Sequence, residues 1–396
     1  MALKRPTSWK RSRKKFSRFP ACQRGAHLAQ QSPLLCPLLR AALMTEEFDD
    51  DEPSTAGWDA ISKQLDSVYG VQEPMHYGTV LPFSLGGKDP LQGISVYRNR
   101  DEDGDWFHYV TYGFSELYDK ESEDPEWSGF GFEMTFRLAT YDIDKEPPTW
   151  PLNVLQNLAR YVFQSGNIFQ PGHSLPFNGP IMIGSPTKIR GGFFVIDDLL
   201  GSIETPNGRV EFLQLVGCTE DEILELKRWN AAGFEATMRQ INPRLLTDLD
   251  RDSIADDPKL AQQILDGARA EGSETDVIYT QEIRLETSAD GVRKLHLPAI
   301  VVADLAAILP GRLRFDRPFF LQTKEALIGV FPTSLSPPEE ADQCSATIQL
   351  SPDEVDKIAD SVRPTRGEYP ISPTLTIEVH PKEIFDQEGN VIQVIG

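Results

Sequence analysis

The sequence predicts an α+β fold in two domains, each a mostly antiparallel or mixed sheet with packed helices, with a cleft formed between them. Three observations carry this expectation. Strand patterns come in runs, with a few helices set among them, instead of alternating one-for-one with helices. At 396 residues the chain is long enough for two or three domains. A polar stretch over 243–275 separates an earlier strand cluster from a later one. The predicted division is a basic tail over 1–43, a first domain over 44–245, a helical linker over 246–275 and a second domain over 276–396.

GWDAISKQLDSVYG (57–70) puts Trp58, Ile61, Leu65 and Val68 at helical spacing, and Gly70 closes the helix. Strand-like runs follow at 76–83, 93–99, 105–114 and 129–139, with GGKDP and RDEDGD as turns. They read as an antiparallel sheet. PPTWPLNVLQNLARYVFQSG (147–166) is a helix with prolines at its start and Leu152, Leu155, Leu158, Ala159, Val162 and Phe163 as its apolar stripe. PIMIG, GGFFVID and GRVEFLQLVG form a second strand cluster ending near Gly217. Thr219 to Glu222 fit a capping box opening a helix over 220–233, and another helix lies around Pro258–Ala270. Strand patterns resume at 276–286, 292–302, 311–315, 318–323 and 326–331. SATIQL adds a strand, Ser351-Pro352-Asp353-Glu354 opens a helix, and TLTIEVHP (374–381) closes the fold.

Charge is unevenly spread. The formal net charge is −21, yet residues 1–43 hold ten Lys or Arg and no acid, which leaves the remainder at −31 (29 basic, 60 acidic). So acidic a body repels phosphates and argues against nucleic-acid binding. It suits solubility or a basic protein partner. The basic start lacks the apolar core of a secretory signal. Leu34–Met44 is interrupted by Pro37 and Arg40 and is too short to span a bilayer, so no membrane association is expected. The composition changes sharply at Met44, the expected beginning of the folded region, with 1–43 a disordered tail or a mis-assigned start. Cys22, Cys36, Cys218 and Cys344 show no C-x-x-C spacing, which favours a reducing, cytoplasmic setting over a disulfide framework.

Catalytic and metal motifs are sparse. GFGFEMTFRL (129–138) has two glycines that resemble a phosphate loop, but it lacks a third glycine and a following helix. Phe130, Phe132, Met134, Phe136 and Leu138 alternate as one face of a strand. The opposite face carries Gly131, Glu133 and Arg137, which either meet water, pair with one another or line a cleft. Asn99, Asp101, Asp103 and Gly104 match half of a calcium loop, but its last position is Val110 where a bidentate Glu is needed. The six histidines never fall at ligand spacing such as H-x-x-x-H, so no metal and no cofactor are expected. A hydrolase using Glu133 and His108 is the rival, less favoured reading; the chain is expected not to be an enzyme.

LGGKDPLQGISVYRN (85–99), FHYVTYGFSELY (107–118), SGFGFEMTFRL (128–138), PPTWPLNVLQNLARYVFQSGN (147–167) and VEFLQLVGCTEDEI (210–223) resemble the Suppressor of fused family in order and spacing. The likeness covers about 60–250 and weakens beyond. It implies two α+β domains without catalytic activity, which grip a segment of a partner as an added β-strand between them. In animals the family restrains zinc-finger transcription factors in Hedgehog signalling. On this chain the resemblance points to Tyr161 and His173, and to Ile278, Tyr279 and Thr280 beside the bound segment. An aspartate that the family carries before the histidine is missing from QPGHSL. A long polar insertion of animal members is replaced by the short turn TSADGV (287–292), so the chain is similar to compact, bacterial-type members. The function expected is therefore a binding module that neutralises a toxin, a basic one being suited to the acidic body, as an immunity protein, or that sequesters another target. The alternative is a signalling regulator that sequesters a transcription factor.

Overall fold

The computed structural model describes residues 54–81, 83–337, 344–385 and 391–396; the expectations for the tail and for Met44 lie outside them, as do Cys22 and Cys36. The described residues belong to one unit, Pro53–Gly396, and contain α-helices together with several sheets, an α+β architecture.

The first sheet is built from β1 (Met75–Gly78), β2 (Gly93–Asp101), β3 (Gly104–Tyr112), β4 (Trp127–Thr140), β5 (Ser174–Pro176), β6 (Ile189–Ile196), β7 (Ser202–Thr205) and β8 (Gly208–Thr219). Its order is β1-β2-β3-β4-β8-β6-β5, with β7 also on β8. All pairings are antiparallel except β4 with β8. GFGFEMTFRL is thus a strand. Its glycines serve a break in the β4–β8 register between Trp127 and Phe132. Gly129 (φ +57) and Gly131 (φ +84) take backbone conformations that side chains resist. A Cβ on Gly129 would meet the Phe114 carbonyl oxygen at 2.7 Å, and one on Gly131 the Trp127 ring at 2.9 Å.

Both faces of this sheet are covered. Helix α1 (Ala56–Tyr69) buries Ile61 and Leu65 against Tyr97, Val110, Tyr112 and Phe212. Helix α2 (Trp150–Ser165) lays Leu155, Leu158, Ala159 and Val162 on the opposite face, over Phe132, Met134, Phe136 and Leu138. Each buried Leu, Ile, Val, Phe or Met side chain among them contributes about 1.5–3 kcal/mol. The calcium-like run is the β2–β3 hairpin turn, where Asp103 N–H donates to Asp101 Oδ1.

The helix expected over 220–233 is two helices. α3 (Glu220–Arg228) opens on the Thr219–Glu222 capping box, and α4 (Ala231–Met238) restarts at the Asn230 cap. α5 (Pro258–Glu271) packs Leu260, Ile264 and Ala268 into the same apolar cluster as Phe193, Trp229 and Phe234. PIMIG forms no strand.

The later part holds two further four-stranded sheets. One runs β10 (Arg284–Thr287), β11 (Arg293–Pro298), β16 (Leu375–His380), β15 (Gly367–Ser372); the other runs β14 (Ala346–Leu350), β13 (Leu327–Pro332), β12 (Phe319–Gln322), β9 (Val277–Tyr279). Each mixes parallel and antiparallel pairs. The run 276–286 is therefore two strands in different sheets. The expected strand over 311–315 is the end of helix α6 (Val302–Leu313), which buries Val302, Leu305, Leu309 and Leu313 at helical spacing while Ala303, Ala306 and Pro310 place apolar residues on its outer side. α7 (Pro352–Ser361) starts on its Ser351–Glu354 capping box as expected. A hairpin, β17 (Lys382–Phe385) with β18 (Val391–Ile395), follows the expected last strand.

Candidate functional site

The face of β4 that carries Glu133 and Arg137 lies inside the protein. Glu133 accepts hydrogen bonds from Thr111 Oγ1 (2.6 Å), Gly113 N–H (2.9 Å), Ser115 N–H (3.0 Å) and Ser115 Oγ (2.6 Å). Arg137 donates to Asp197 Oδ1 (2.7 Å), Asp198 Oδ1 (2.6 Å) and the Arg244 carbonyl (3.0 Å). The two do not pair with each other, and both are fully buried. Gly131 is sealed behind the Trp127 ring. These three residues brace the interior and are not surfaces for a partner, which corrects both the water-facing and the cleft-lining expectations.

Asp197 is the centre of that interior, and motif spacing did not reveal it. Its Oδ1 also accepts from the Leu199 and Leu200 amides, and its Oδ2 from Thr135 Oγ1 (2.7 Å) and His108 Nε2 (3.0 Å). Burial on its own raises the Asp197 carboxyl, but His108, Arg137 and Thr135 outweigh it and hold the group well below the usual carboxylate range. Burial lowers the His108 imidazole against the opposing pull of Asp197, and a ring with its proton on Nε2 satisfies that carboxylate. Nδ1 then accepts from the Tyr69 hydroxyl at 2.5 Å. His108 shares the sheet face of Glu133 but belongs to a different hydrogen-bonded set, and neither reaches solvent. A substrate has no route to that pair, so the hydrolase expectation loses its residues.

Exposed main chain occurs at sheet edges. β9 ends its sheet and pairs on one side with β12, in parallel. Phe320 N–H donates to the Asp276 carbonyl (2.8 Å) and Thr280 N–H to the Gln322 carbonyl (2.9 Å). Alternation along a strand then turns the N–H and C=O of Val277 and Tyr279 toward the open side. Ile278 is buried in the sheet core while the Tyr279 side chain is 72% exposed. The first sheet ends in the same way at β5, next to His173, whose carbonyl accepts from Phe194 N–H (2.9 Å). Tyr161 lies near Phe169 (ring centroids 5.7 Å), and Phe169 stacks on Phe194 (4.4 Å). Tyr161 and His173 are therefore linked through Phe194, with Tyr161 half exposed and holding Asn167 through its hydroxyl. Among the described residues no hydrogen bond or ring contact joins that pair to Ile278, Tyr279 and Thr280.

Comparison with known proteins matches this arrangement of sheets and sequence. The family model of the Suppressor of fused protein (SUFU) matches residues 87–252. The Suppressor of fused homologs of Homo sapiens and Mus musculus are 34% identical over 235 residues, covering 55% of this chain. A crystal structure of a Sufu–Fu complex is 33% identical, with 98% of that chain and 54% of this one covered and a TM-score of 0.51. The chain belongs to the Suppressor of fused family. The fold likeness extends past the matched sequence: the crystal structure of Drosophila Suppressor of Fused superposes with a TM-score of 0.68 over 83% of this chain and 97% of that one, at 23% identity. The chain spans about half (48%) of the length of the curated relatives it matches. No described helix is long and apolar enough to cross a membrane.

Proposed function

We propose that this Suppressor of fused family member is a non-enzymatic regulator that sequesters a protein partner by taking an extended segment of it as an added strand. The observation that carries the reading is the one-sided pairing of β9, which among the described residues leaves the outward main-chain groups of Val277 and Tyr279 without a strand partner beside an exposed Tyr279 ring. Strand addition on such an edge draws affinity from main-chain hydrogen bonds and selectivity from neighbouring side chains. The Sufu–Fu complex supports protein binding as the business of the family. Tyr161 and His173, beside the open edge at β5, offer a second set of contacts. The acidic body favours a basic partner segment, a transcription factor's or another's, over nucleic acid. A cytoplasmic setting fits this reading.

The sequestering regulator now takes precedence over the toxin-neutralising reading. The curated relatives this chain matches are Suppressor of fused homologs of Homo sapiens and Mus musculus, and the Sufu–Fu complex pairs such a protein with another protein.

The edge suggests its own test. Proline at 279 removes an outward N–H and leaves the β9–β12 bonds in place, a position where sheet edges tolerate proline. Proteins retained from native lysate by the wild-type chain are to be compared with those retained by Tyr279→Pro and Tyr161→Ala. Loss of the same retained protein in Tyr279→Pro, with an unchanged circular dichroism spectrum, is expected. Equal retention by both variants refutes the edge as the binding site. Ile278→Asp is not a usable probe, because Ile278 is part of the buried core and its substitution tests folding.

A further inference from the structure

The β10-β11-β16-β15 sheet turns Leu295, Leu297, Ile377 and Val379 into the core, and its other face collects a different set of residues. There, His296 on β11 stands opposite Glu378 on β16, with His380 two residues further along. His296 Nδ1 lies 3.2 Å from His380 Nε2 and 3.5 Å from Glu378 Oε2. Glu378 Oε1 is 3.8 Å from His380 Nε2. Two imidazole nitrogens bound to one tetrahedral ion at about 2.0–2.1 Å are held about 3.3 Å apart. The observed separation fits that spacing.

The surroundings of His296 agree. Its Nε2 is buried and lacks a well-formed hydrogen bond; Glu286 Oε2 faces it at 3.3 Å. A carboxylate in that place accepts from Nε2–H and holds the tautomer whose Nδ1 lone pair points at Glu378 and His380. Metal-bound histidines are commonly oriented by such an outer carboxylate. The cations on this face are engaged: Arg284 pairs with Glu286 at 2.9 Å, and Lys294 lies 2.8 Å from Glu368 and 3.4 Å from Glu378. Lys294 competes for Glu378, and Glu368 draws it away.

We propose that His296, Glu378 and His380 form a divalent transition-metal site, with Glu286 as the residue that positions His296. Two imidazoles and a carboxylate suit Zn²⁺ in particular, and the fourth position faces solvent. The His380 and Glu378 side chains, 44% and 26% exposed, leave the ion a way in. An ion there ties β11 to β16 directly before the β17–β18 hairpin.

The test is calorimetric titration of the untagged, chelator-treated full chain with Zn²⁺, followed by Co²⁺ for its visible ligand-field bands. One saturable equivalent is expected, weakened at least about tenfold by His380→Ala and by Glu378→Gln, and about tenfold by Glu286→Gln. Tetrahedral Co²⁺ bands are expected in the wild-type chain and absent from His380→Ala, whose half-exposed position leaves folding intact. Absence of saturable Zn²⁺ uptake overturns the site, as a plain histidine–histidine hydrogen bond would. Uptake and Co²⁺ bands unchanged by His380→Ala overturn it as well.

Discussion

Two clusters of the same side-chain types behave differently in this protein. Around Asp197, a histidine, carboxylates and an arginine are closed off, and the hydrogen-bonding positions of the central carboxylate are filled by Thr135, His108, Arg137 and two amides. Around His296, two histidines and a carboxylate meet at the surface with a ring nitrogen left unmatched. The difference lies in access, not in residue chemistry: each cluster keeps one buried nitrogen without a hydrogen-bond partner, Arg137 Nε in the closed one and His296 Nε2 in the other. A closed buried network fixes a fold. A half-open one is available to a ligand.

The contrast can be broken most severely from the closed side. Arg137→Ala leaves Asp197 buried with one cationic partner removed, and a loss of about 3–5 kcal/mol is expected in urea unfolding. A loss under about 1 kcal/mol would mean that water enters the cluster and that it is not closed.

Acid sharpens the same point. The folded-state pKa values of both His108 and Asp197 are depressed, so their stabilisation is present at neutral pH and is lost as the pH falls. The loss should begin below about pH 6.5 through His108 and deepen below about pH 3.9 through Asp197. His108→Gln is expected to be less stable at pH 7 yet flatter between these limits, with His76 and His173, both also lowered by burial, leaving a residual slope. An unchanged slope in His108→Gln would show that the imidazole already carries its charge in the folded protein.

The smallest effect belongs to the open cluster. Without metal, His380→Ala should shift stability by no more than about 0.5 kcal/mol, as for an ordinary surface position. A larger loss in metal-free urea unfolding would place His380 among the structural residues.

Much of the fold was readable because local rules decide it. The capping boxes at Thr219 and Ser351 placed two helix starts, and alternation in GFGFEMTFRL identified β4. Readings failed where the polarity of a face does not report its burial. α6 carries Ala303, Ala306 and Pro310 on its less buried side and its end passed for a strand, and Glu133 and Arg137 looked water-facing because a polar strand face normally is. Here α1 and the Asp197–Leu200 turn cover that face, and only long-range pairing reveals it. His296 and His380 are separated in sequence by the whole span between β11 and β16, so no spacing rule could bring them together. The exposed edge of β9 was partly legible, since Ile278, Tyr279 and Thr280 came from family resemblance, but its one-sided pairing needed the structure.

Hydrogen exchange at β9, read residue by residue with and without the captured partner, tests the central claim most directly. Strand addition predicts that the Val277 and Tyr279 amides exchange fast in the free chain and become protected on binding, while the Ile278 amide, facing β12, is slow throughout. Partner binding that leaves Val277 and Tyr279 exchanging as before would contradict the account.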